Sequence, residues 1–327
     1  MSCALALSLV LSAVAGGQGV RSPVAGRVLT DTLWSQALGT TKQLVVWLPP
    51  SYDREPARRY PVAYYLHGAW GGEWDWVRAG KIDQVLDSLV AGGMREMIVV
   101  MPDGDDGFYT TWNALGNYAD CTAHPPARES AATYCVPWPH YDDYIARDLV
   151  AHVDSNYRTL RDVRHRAIAG LSMGGYGAIS LALGYPDVFS AAASHSGVVS
   201  PTYIGPKPFA GTARYATTEA QFRDAYPVSF LPLLALPFGR DTAAWVARDP
   251  ARMAERLAAR DRARMPALML DCGTEDGLID QNRALHAALD RLGIAHSYAE
   301  WPGAHTWSYW HQHVGESLRW IASRMGT

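Results

Sequence analysis

Residues 167–178 read AIAGLSMGGYGA, and this stretch decides the predicted fold. It begins as a short apolar run typical of a buried strand and continues, after Ser172, into a segment typical of a helix. Between them lies the pattern G-x-S-x-G, formed by Gly170, Ser172 and Gly174. A serine in a sharp strand-to-helix turn projects its hydroxyl above the sheet, and the flanking glycines leave room for that turn. The stretch therefore predicts a nucleophilic serine at Ser172, whereas the pattern without this context would indicate only a connecting turn.

The bulk composition is that of a globular protein with a large core. The chain has 327 residues, of which 48% are hydrophobic and 19% charged. Its net charge of -3 and the lack of a polybasic segment indicate no nucleic-acid partner and no membrane-surface partner. No stretch is long and apolar enough to cross a bilayer, so we expect no stable membrane insertion. Neither C-x-x-C nor H-E-x-x-H occurs, and we expect no metal site.

The N-terminal residues are typical of an export signal. Residues 4–15 form an apolar run that ends in Ala13-Val14-Ala15, a small-residue pattern found at leader cleavage sites. The first basic residue, Arg21, follows this run instead of preceding it, so a misassigned start or an unstructured leader would also fit. We expect a leader over residues 1–22, one α/β domain over residues 23–327, and a secreted or periplasmic protein.

A long loop-like segment, residues 108–139, is rich in aromatic residues and prolines and contains two cysteines. Cys121 and Cys135 are close in sequence, which fits a local disulfide in an oxidising compartment. Cys272 lies in an apolar run and is expected to be a buried free thiol.

Strand-like and helix-like segments alternate along most of the chain. Besides the run before Ser172, strands are predicted at 44–48, 62–66, 97–101, 189–194, 267–272 and 294–300, and helices at 74–90, 141–157, 249–264, 280–292 and 307–325. This alternation predicts an α/β fold with a mainly parallel central sheet and helices on both faces. Residues 200–245 break the alternation with six prolines, and we interpret them as a cap-like insertion over the sheet or a pocket wall.

Three chemically useful side chains follow three of the predicted strands. Ser172 follows one strand, the acidic loop 273–277 follows the next to last, and His305 lies in the loop after the last. Since ligands of an open α/β sheet bind at the carboxyl ends of its strands, we expect these groups to meet there. The chain order serine, acid, histidine is that of α/β-hydrolases. In such a triad the histidine takes the serine proton, and the acid orients the imidazole.

Two neighbouring acids compete for the third position of the triad. Asp276, which precedes a glycine in the loop, is preferred, and Glu275 is the alternative. Asp271 lies within the strand, and Asp280 is expected to cap the next helix.

The other histidines fit the base role less well than His305. His67 precedes the acid in sequence, and His195 is expected near the same edge of the sheet as Ser172. His286 and His296 lie inside a predicted helix and a predicted strand, and we expect them to be structural. His311 and His313 are two positions apart on one predicted helix, so they are expected to point to different sides of it.

An oxyanion hole needs two backbone N–H donors. Met173, directly after the serine, is one candidate. The glycine-rich loop 67–72, HGAWGG, follows the strand at 62–66 and supplies the other, with Ala69 preferred and Trp70 as the alternative. A plain strand-to-helix turn would also explain this loop.

Six short motifs together resemble one known family: LPPSY at 48–52, YPV at 60–62, LHG at 66–68, IVVMPD at 98–103, GLSMGG at 170–175 and GAHTW at 303–307. They are similar to the esterase D or putative esterase family of α/β-hydrolases. That family includes feruloyl and acetyl xylan esterases, S-formylglutathione hydrolases and the antigen 85 mycolyltransferases. The resemblance runs from about residue 26 to the C-terminus. It implies a serine esterase without a cofactor, in which Ser172, Asp276 and His305 form the triad.

The expected activity is hydrolysis of a small-molecule or polysaccharide-linked carboxylic ester through an acyl-enzyme. Feruloyl or acetyl esters of carbohydrates are the leading substrate class that the resemblance implies. An acyltransferase of the mycolyltransferase type, a thioesterase similar to S-formylglutathione hydrolase, and a non-catalytic carbohydrate-binding protein are the alternatives. Four tryptophans are candidate pocket walls, with ordinary packing as the alternative for each: Trp70, Trp112, Trp307 and Trp310.

Overall fold

The computed structural model describes residues 25–112, 118–125, 127, 130–225, 230–238 and 242–326. The predicted leader, residues 1–22, lies outside these ranges. The strands are β1 (Arg27–Ser35), β2 (Thr40–Leu48), β3 (Val62–Leu66), β4 (Ile98–Pro102), β5 (Arg166–Leu171), β6 (Ala191–His195), β7 (Tyr203–Gly205), β8 (Arg214–Tyr215), β9 (Ala267–Gly273) and β10 (His296–Trp301).

Eight of these strands form one sheet in the order β1-β2-β4-β3-β5-β6-β9-β10. The six from β4 to β10 run parallel, whereas β1 and β2 pair antiparallel and β2 lies antiparallel to β4. The predicted α/β fold with a mainly parallel sheet is therefore confirmed. Since β5 lies between β3 and β6, the residue that follows it stands near the middle of the carboxyl edge.

The helices are α1 (Asp75–Arg78), α2 (Ile82–Ala91), α3 (Tyr118–Ala123), α4 (Ala131–Tyr134), α5 (Tyr141–Asp143), α6 (Val150–Asn156), α7 (Met173–Gly184), α8 (Glu219–Ala225), α9 (Leu231–Phe238), α10 (Thr242–Arg248), α11 (Pro250–Asp261), α12 (Ile279–Arg291) and α13 (Trp307–Arg324). A π-helical segment, Tyr144–Leu149, joins α5 to α6. No helix within the described residues has both the length and the apolar character needed to cross a membrane.

Helices cover both faces of the sheet, and the central strand β3 is therefore buried on both sides. Tyr64 packs into a core cluster with residues of α7, α11 and α12. Its neighbour Tyr65 packs into a second cluster with residues of α2 and α13. Successive side chains of a strand point to opposite faces, and the two clusters follow from that alternation.

Two of the predicted helix boundaries are wrong. The helix predicted at 74–90 is divided into α1 and α2, because Lys81 between them has a left-handed conformation, with φ of 51°. Asp280 does not cap α12. Leu278 holds the N-cap position, and the Asp280 carboxylate accepts a hydrogen bond from the Phe209 amide at 2.7 Å.

The segment 200–245 contains only short elements among its described residues. β7 pairs with β8 in a separate two-stranded sheet, and α8, α9 and α10 follow. The longest of these, α9, has eight residues. The segment lies between β6 and β9, which are neighbours in the main sheet.

Candidate active site

Ser172 occupies a strained turn between β5 and α7. Its backbone has φ of 53° and ψ of -117°, a conformation that non-glycine residues rarely adopt. A Cβ atom on Gly170 would lie 2.3 Å from the Gly174 carbonyl oxygen, and one on Gly174 would lie 2.5 Å from the His67 carbonyl oxygen. The two glycines therefore allow the backbone segments to cross closely enough to form this turn.

His305 lies between Ser172 and Asp276 with both ring nitrogens in hydrogen-bonding distance. Its Nε2 atom is 2.9 Å from Ser172 Oγ, and its Nδ1 atom is 2.8 Å from Asp276 Oδ2. The Asp276 side chain is fully buried and accepts a second hydrogen bond from the Leu278 amide at 2.8 Å. The imidazole itself is 34% exposed, so a substrate can approach it. The three residues that follow β5, β9 and β10 are thus brought together in a line.

Glu275, the alternative acid, contacts the backbone and not the imidazole. Its carboxylate accepts hydrogen bonds from the Gly303 amide and from the Thr274 hydroxyl. Its own amide donates to the Gly303 carbonyl at 3.0 Å. Glu275 therefore joins the acidic loop to the loop that carries His305, while Asp276 faces the ring.

The candidate oxyanion donors lie on either side of Ser172. Met173 begins α7, and a first-turn amide has no acceptor within its own helix. Gly68 packs against the turn, since a Cβ atom there would lie 3.4 Å from Ser172 Cβ. The Trp70 amide donates to Asp106 Oδ1 at 2.6 Å, whereas no described residue accepts from the Ala69 amide. Of the two alternatives, Trp70 therefore has its amide already bonded to a carboxylate.

A buried hydrogen-bond network holds the loop 67–72 from behind, and the sequence analysis missed it. The His67 Nε2 atom accepts from the Gly104 amide at 2.8 Å, so its Nδ1 atom carries the proton and donates to the Gly68 carbonyl at 2.8 Å. The Tyr109 hydroxyl donates to the His67 carbonyl at 3.1 Å. These bonds attach the loop to the segment that follows β4.

Lys42 on β2 contacts two buried carboxyl groups next to that network. Its Nζ atom lies 2.6 Å from Asp103 and 2.6 Å from Asp105, and the lysine side chain is fully buried. Burial alone would raise the pKa of Asp103, but the charge of Lys42 lowers it well below the usual value. Burial and the neighbouring Asp103 charge raise the pKa of Asp105 to about 7. The period-2 pattern of β2 was the available signal, because it places Lys42 on the same face as Leu44.

A mainly apolar cavity of about 300 Å³ opens beside Ser172 and His305. Its apolar lining comes from several separate parts of the chain: Phe108, Val198, Tyr203, Phe230, Leu234 and Leu278. Lys207, Asp280 and Gln281 are polar residues of the same lining. Residues 200–245 supply four of these side chains, so this segment forms part of the pocket.

None of the four tryptophans that were predicted to line the pocket is among these lining residues. Trp112 packs on Tyr141 at 5.7 Å between ring centroids, and its indole N–H donates to the Gly107 carbonyl. Trp307 and Trp310 pack edge to face at 5.2 Å, and the Trp310 ring supports His305 at 4.9 Å. Trp70 is half exposed and contacts Phe230, which does line the cavity.

A second serine, histidine and aspartate set lies inside the core. His195 Nδ1 is 2.6 Å from Asp271 Oδ2, and His195 Nε2 is 2.7 Å from Ser317 Oγ. All three residues are fully buried, and the Ser317 hydroxyl also donates to the Val314 carbonyl. A substrate cannot reach this serine, so the set connects α13 to β6 and β9.

Cys121 and Cys135 form a disulfide, with their Cα atoms 5.7 Å apart. Among the described residues Cys272 is a free, buried cysteine on β9.

Comparison with known proteins places these features in context. The model of the family described as "Putative esterase" matches residues 35–321. The chain is 31% identical over 169 residues to an endo-1,4-beta-xylanase/feruloyl esterase of Xylanibacter ruminicola. The aligned region covers 50% of this chain and 20% of that protein. It is 32% identical over 167 residues to an esterase of Mycobacterium tuberculosis. The aligned region covers 51% of this chain and 31% of that protein. The matches thus span a fifth to a third of the length of these curated relatives.

Among solved structures, a ferulic acid esterase superposes with a TM-score of 0.69 at 25% sequence identity. The superposition covers 93% of this chain and all of that one. The similarity therefore extends over the whole α/β core, and not only over the motifs around Ser172.

Proposed function

This chain belongs to the putative esterase family, and we propose that it is a serine esterase whose catalytic triad is Ser172, His305 and Asp276. The observation that carries the proposal is the pair of contacts at His305, 2.9 Å to Ser172 Oγ and 2.8 Å to Asp276 Oδ2. A serine hydroxyl is a weak nucleophile at neutral pH, and a base in hydrogen-bonding distance activates it.

In the proposed first step, Ser172 Oγ attacks the ester carbonyl carbon while His305 Nε2 takes its proton. Asp276 accepts the Nδ1–H bond, holds the ring in the required tautomer, and stabilises the imidazolium that forms. Its burial and its second hydrogen bond to the Leu278 amide fix the carboxylate in place.

The negative oxygen of the tetrahedral intermediate then lies between the Met173 and Ala69 amides. Such donors act most strongly when they are oriented before the reaction. The intermediate collapses to an acyl-Ser172 enzyme as His305 returns the proton to the leaving alcohol. A water molecule, activated by the same imidazole, releases the acid in the second half of the reaction.

The substrate proposed is a feruloyl or acetyl ester of a carbohydrate. The cavity of about 300 Å³ beside Ser172 is mainly apolar, which suits the acyl group of such an ester. Lys207 is an exposed residue of this lining, and its ammonium group supplies a donor for the hydroxyls of the substrate. The feruloyl esterase names among the relatives support the same class.

We propose further that the protein is exported, with residues 1–22 as its leader and residues 23–327 as one esterase domain. The disulfide between Cys121 and Cys135 supports an oxidising compartment, because such bonds rarely persist in the cytosol.

The test is a panel of esters offered to the purified protein. Methyl ferulate, acetylated xylan, a long-chain acyl ester and S-formylglutathione are compared, each with and without a sugar acceptor. We expect the highest kcat/KM for the feruloyl or acetyl ester, with the acyl group transferred to water. Transfer mainly to the sugar would favour an acyltransferase, and an inert protein would exclude the esterase.

A further inference from the structure

Two imidazoles face each other at the edge of the sheet furthest from β1. His286 lies on α12, and His296 is the first residue of β10. His286 Nδ1 is 2.7 Å from His296 Nε2, and the ring centroids are 5.0 Å apart. Since His296 begins its parallel strand, the pair lies toward the amino edge of the sheet, opposite to the edge that carries Ser172.

Each ring has a partner for its outer nitrogen. His296 Nδ1 donates to the Ile294 carbonyl at 2.8 Å, which leaves the lone pair on Nε2 directed at the other ring. His286 Nε2 lies 3.5 Å from the Asp290 carboxylate, one helical turn along α12. A carbonyl or carboxylate on the far nitrogen is the usual outer support of a histidine that binds a metal.

The ring positions also suit a shared ion. With a metal–nitrogen distance of about 2.0–2.1 Å, two imidazoles whose centroids are 5.0 Å apart meet at an angle of about 100° at the ion. That angle lies between the tetrahedral and octahedral values. In the observed hydrogen bond the two nitrogens point at each other, so each ring turns by about 40° about its centre to bind the ion. Tyr298 stacks on His286 at 4.2 Å between centroids, which keeps the ring in place. The His286 side chain is 36% exposed, so water can complete the coordination.

We propose that His286 and His296 bind one divalent transition-metal ion of the Zn²⁺ or Ni²⁺ class, with Asp290 orienting the His286 ring. Imidazole nitrogen suits these ions and not Mg²⁺, which prefers oxygen ligands. The ion takes the place of the proton on His286 Nδ1, which moves to Nε2 and faces the Asp290 carboxylate there, so that both imidazoles stay neutral. The ion joins α12 to β10, the helix that follows Asp276 and the strand that leads to His305.

The proposal is tested by titrating tag-free, metal-free protein with ZnCl₂ in a calorimeter, and with MgCl₂ in parallel. Wild type should bind one Zn²⁺ per chain, reversibly with EDTA, and no Mg²⁺. Saturation with Zn²⁺ should raise the melting temperature by about 4 °C. Neither measurement depends on esterase activity.

Variants identify the ligands. His286→Gln and His296→Gln should each abolish saturable binding, and Asp290→Asn should weaken it about tenfold. His124→Gln is the matched control, because His124 also lies beside a carboxylate, Asp120 at 3.3 Å, on a different helix; it should bind as wild type does. Asp290 is largely exposed, so its variant folds even if the others do not. Absence of Zn²⁺ binding in wild type, unchanged affinity in all three site variants, or loss in His124→Gln would overturn the proposal.

Discussion

The Nε2 atom of His305 lies 2.9 Å from the Ser172 hydroxyl, although the two residues are 133 positions apart in the chain. Neither residue is on the strand of the other: Ser172 follows β5 in the middle of the sheet, and His305 follows β10 at its edge. The distance between them is bridged by the loop after β10, which packs on the loop after β9 at Gly273 and Gly303. The contact between Ser172 and His305 therefore depends on the packing of these loops as well as on the turn at Ser172.

Ser172→Ala should lower the turnover of p-nitrophenyl acetate by about 10⁴-fold or more while leaving the fold unchanged, because the proposed nucleophile is lost. Initial rates and circular dichroism measure both effects. Ser190→Ala, at the amino end of β6, should retain wild-type activity. Substantial turnover by Ser172→Ala would exclude this serine as the nucleophile.

Asp276→Asn should reduce kcat by about 10³- to 10⁴-fold, since an amide cannot stabilise the imidazolium and favours the wrong tautomer of His305. Glu275→Gln should lower kcat less than about tenfold, because Glu275 contacts the backbone of Gly303 and not the ring. Steady-state kinetics of the two variants, side by side, compare the roles. A larger loss in Glu275→Gln would reverse the assignment of the acid.

Leu278→Trp should narrow the cavity beside Ser172 and discriminate between acyl groups by size. Leu278 lines the cavity, but only its amide bonds to Asp276. We expect kcat/KM for a feruloyl ester to fall at least about tenfold relative to that for an acetyl ester, a loss of roughly 1.4 kcal/mol in transition-state binding. Equal losses on both esters would indicate that the acyl group binds elsewhere.

Lys42→Met should lower the free energy of unfolding by about 3–5 kcal/mol, because it leaves Asp103 and Asp105 buried without their cation. Urea denaturation measures the loss. The triple variant Lys42→Met, Asp103→Asn, Asp105→Asn removes the uncompensated charge and should recover part of it. A triple variant less stable than Lys42→Met would contradict the electrostatic explanation.

The stability of the wild type relative to Asp105→Asn should decrease as pH rises from about 4 to about 7. An unfolded aspartate has a pKa of about 3.9, whereas burial and the Asp103 charge raise the pKa of Asp105 in the folded protein to about 7. The folded state thus keeps a proton that the unfolded state releases, so this stabilisation is complete below pH 4 and is lost toward pH 7. Urea midpoints of both proteins at pH 4.5, 6 and 7.5 give the difference. A constant difference would show that Asp105 ionises normally.

The sheet and the central turn could be predicted from the sequence because their signals are local. Strands that are buried on both faces read as continuous apolar runs, as at 62–66 and 97–101. Gly170 and Gly174 mark the turn because two backbone segments cross there, and a Cβ atom at either position would collide. Ser172 and His305 each follow a predicted strand, and the carboxyl ends of parallel strands lie at the same edge of the sheet. The two residues could therefore be predicted to lie close together.

Other features depend on contacts that leave no local trace. Asp276 and Glu275 are adjacent acids in one loop, and only the turn geometry directs one to the ring and the other to Gly303. The cavity is lined by Phe108, Val198 and Leu234, which come from three separate segments, so tryptophan content was a poor guide to it. The pairing of Lys42 with Asp103 spans different strands, and only the inward position of a lysine in β2 indicated a buried partner.

The bond between the Gly104 amide and the His67 ring joins two groups of the chain itself, so we expect the loop 67–72 to acquire its shape when the chain folds. A loop set in this way has nothing to rearrange during each catalytic cycle. The turnover rate would then be limited by the entry of substrate and the release of product past residues 200–245. An increase in solvent viscosity should accordingly lower the turnover of variants substituted in that segment more than the turnover of variants substituted near Gly104.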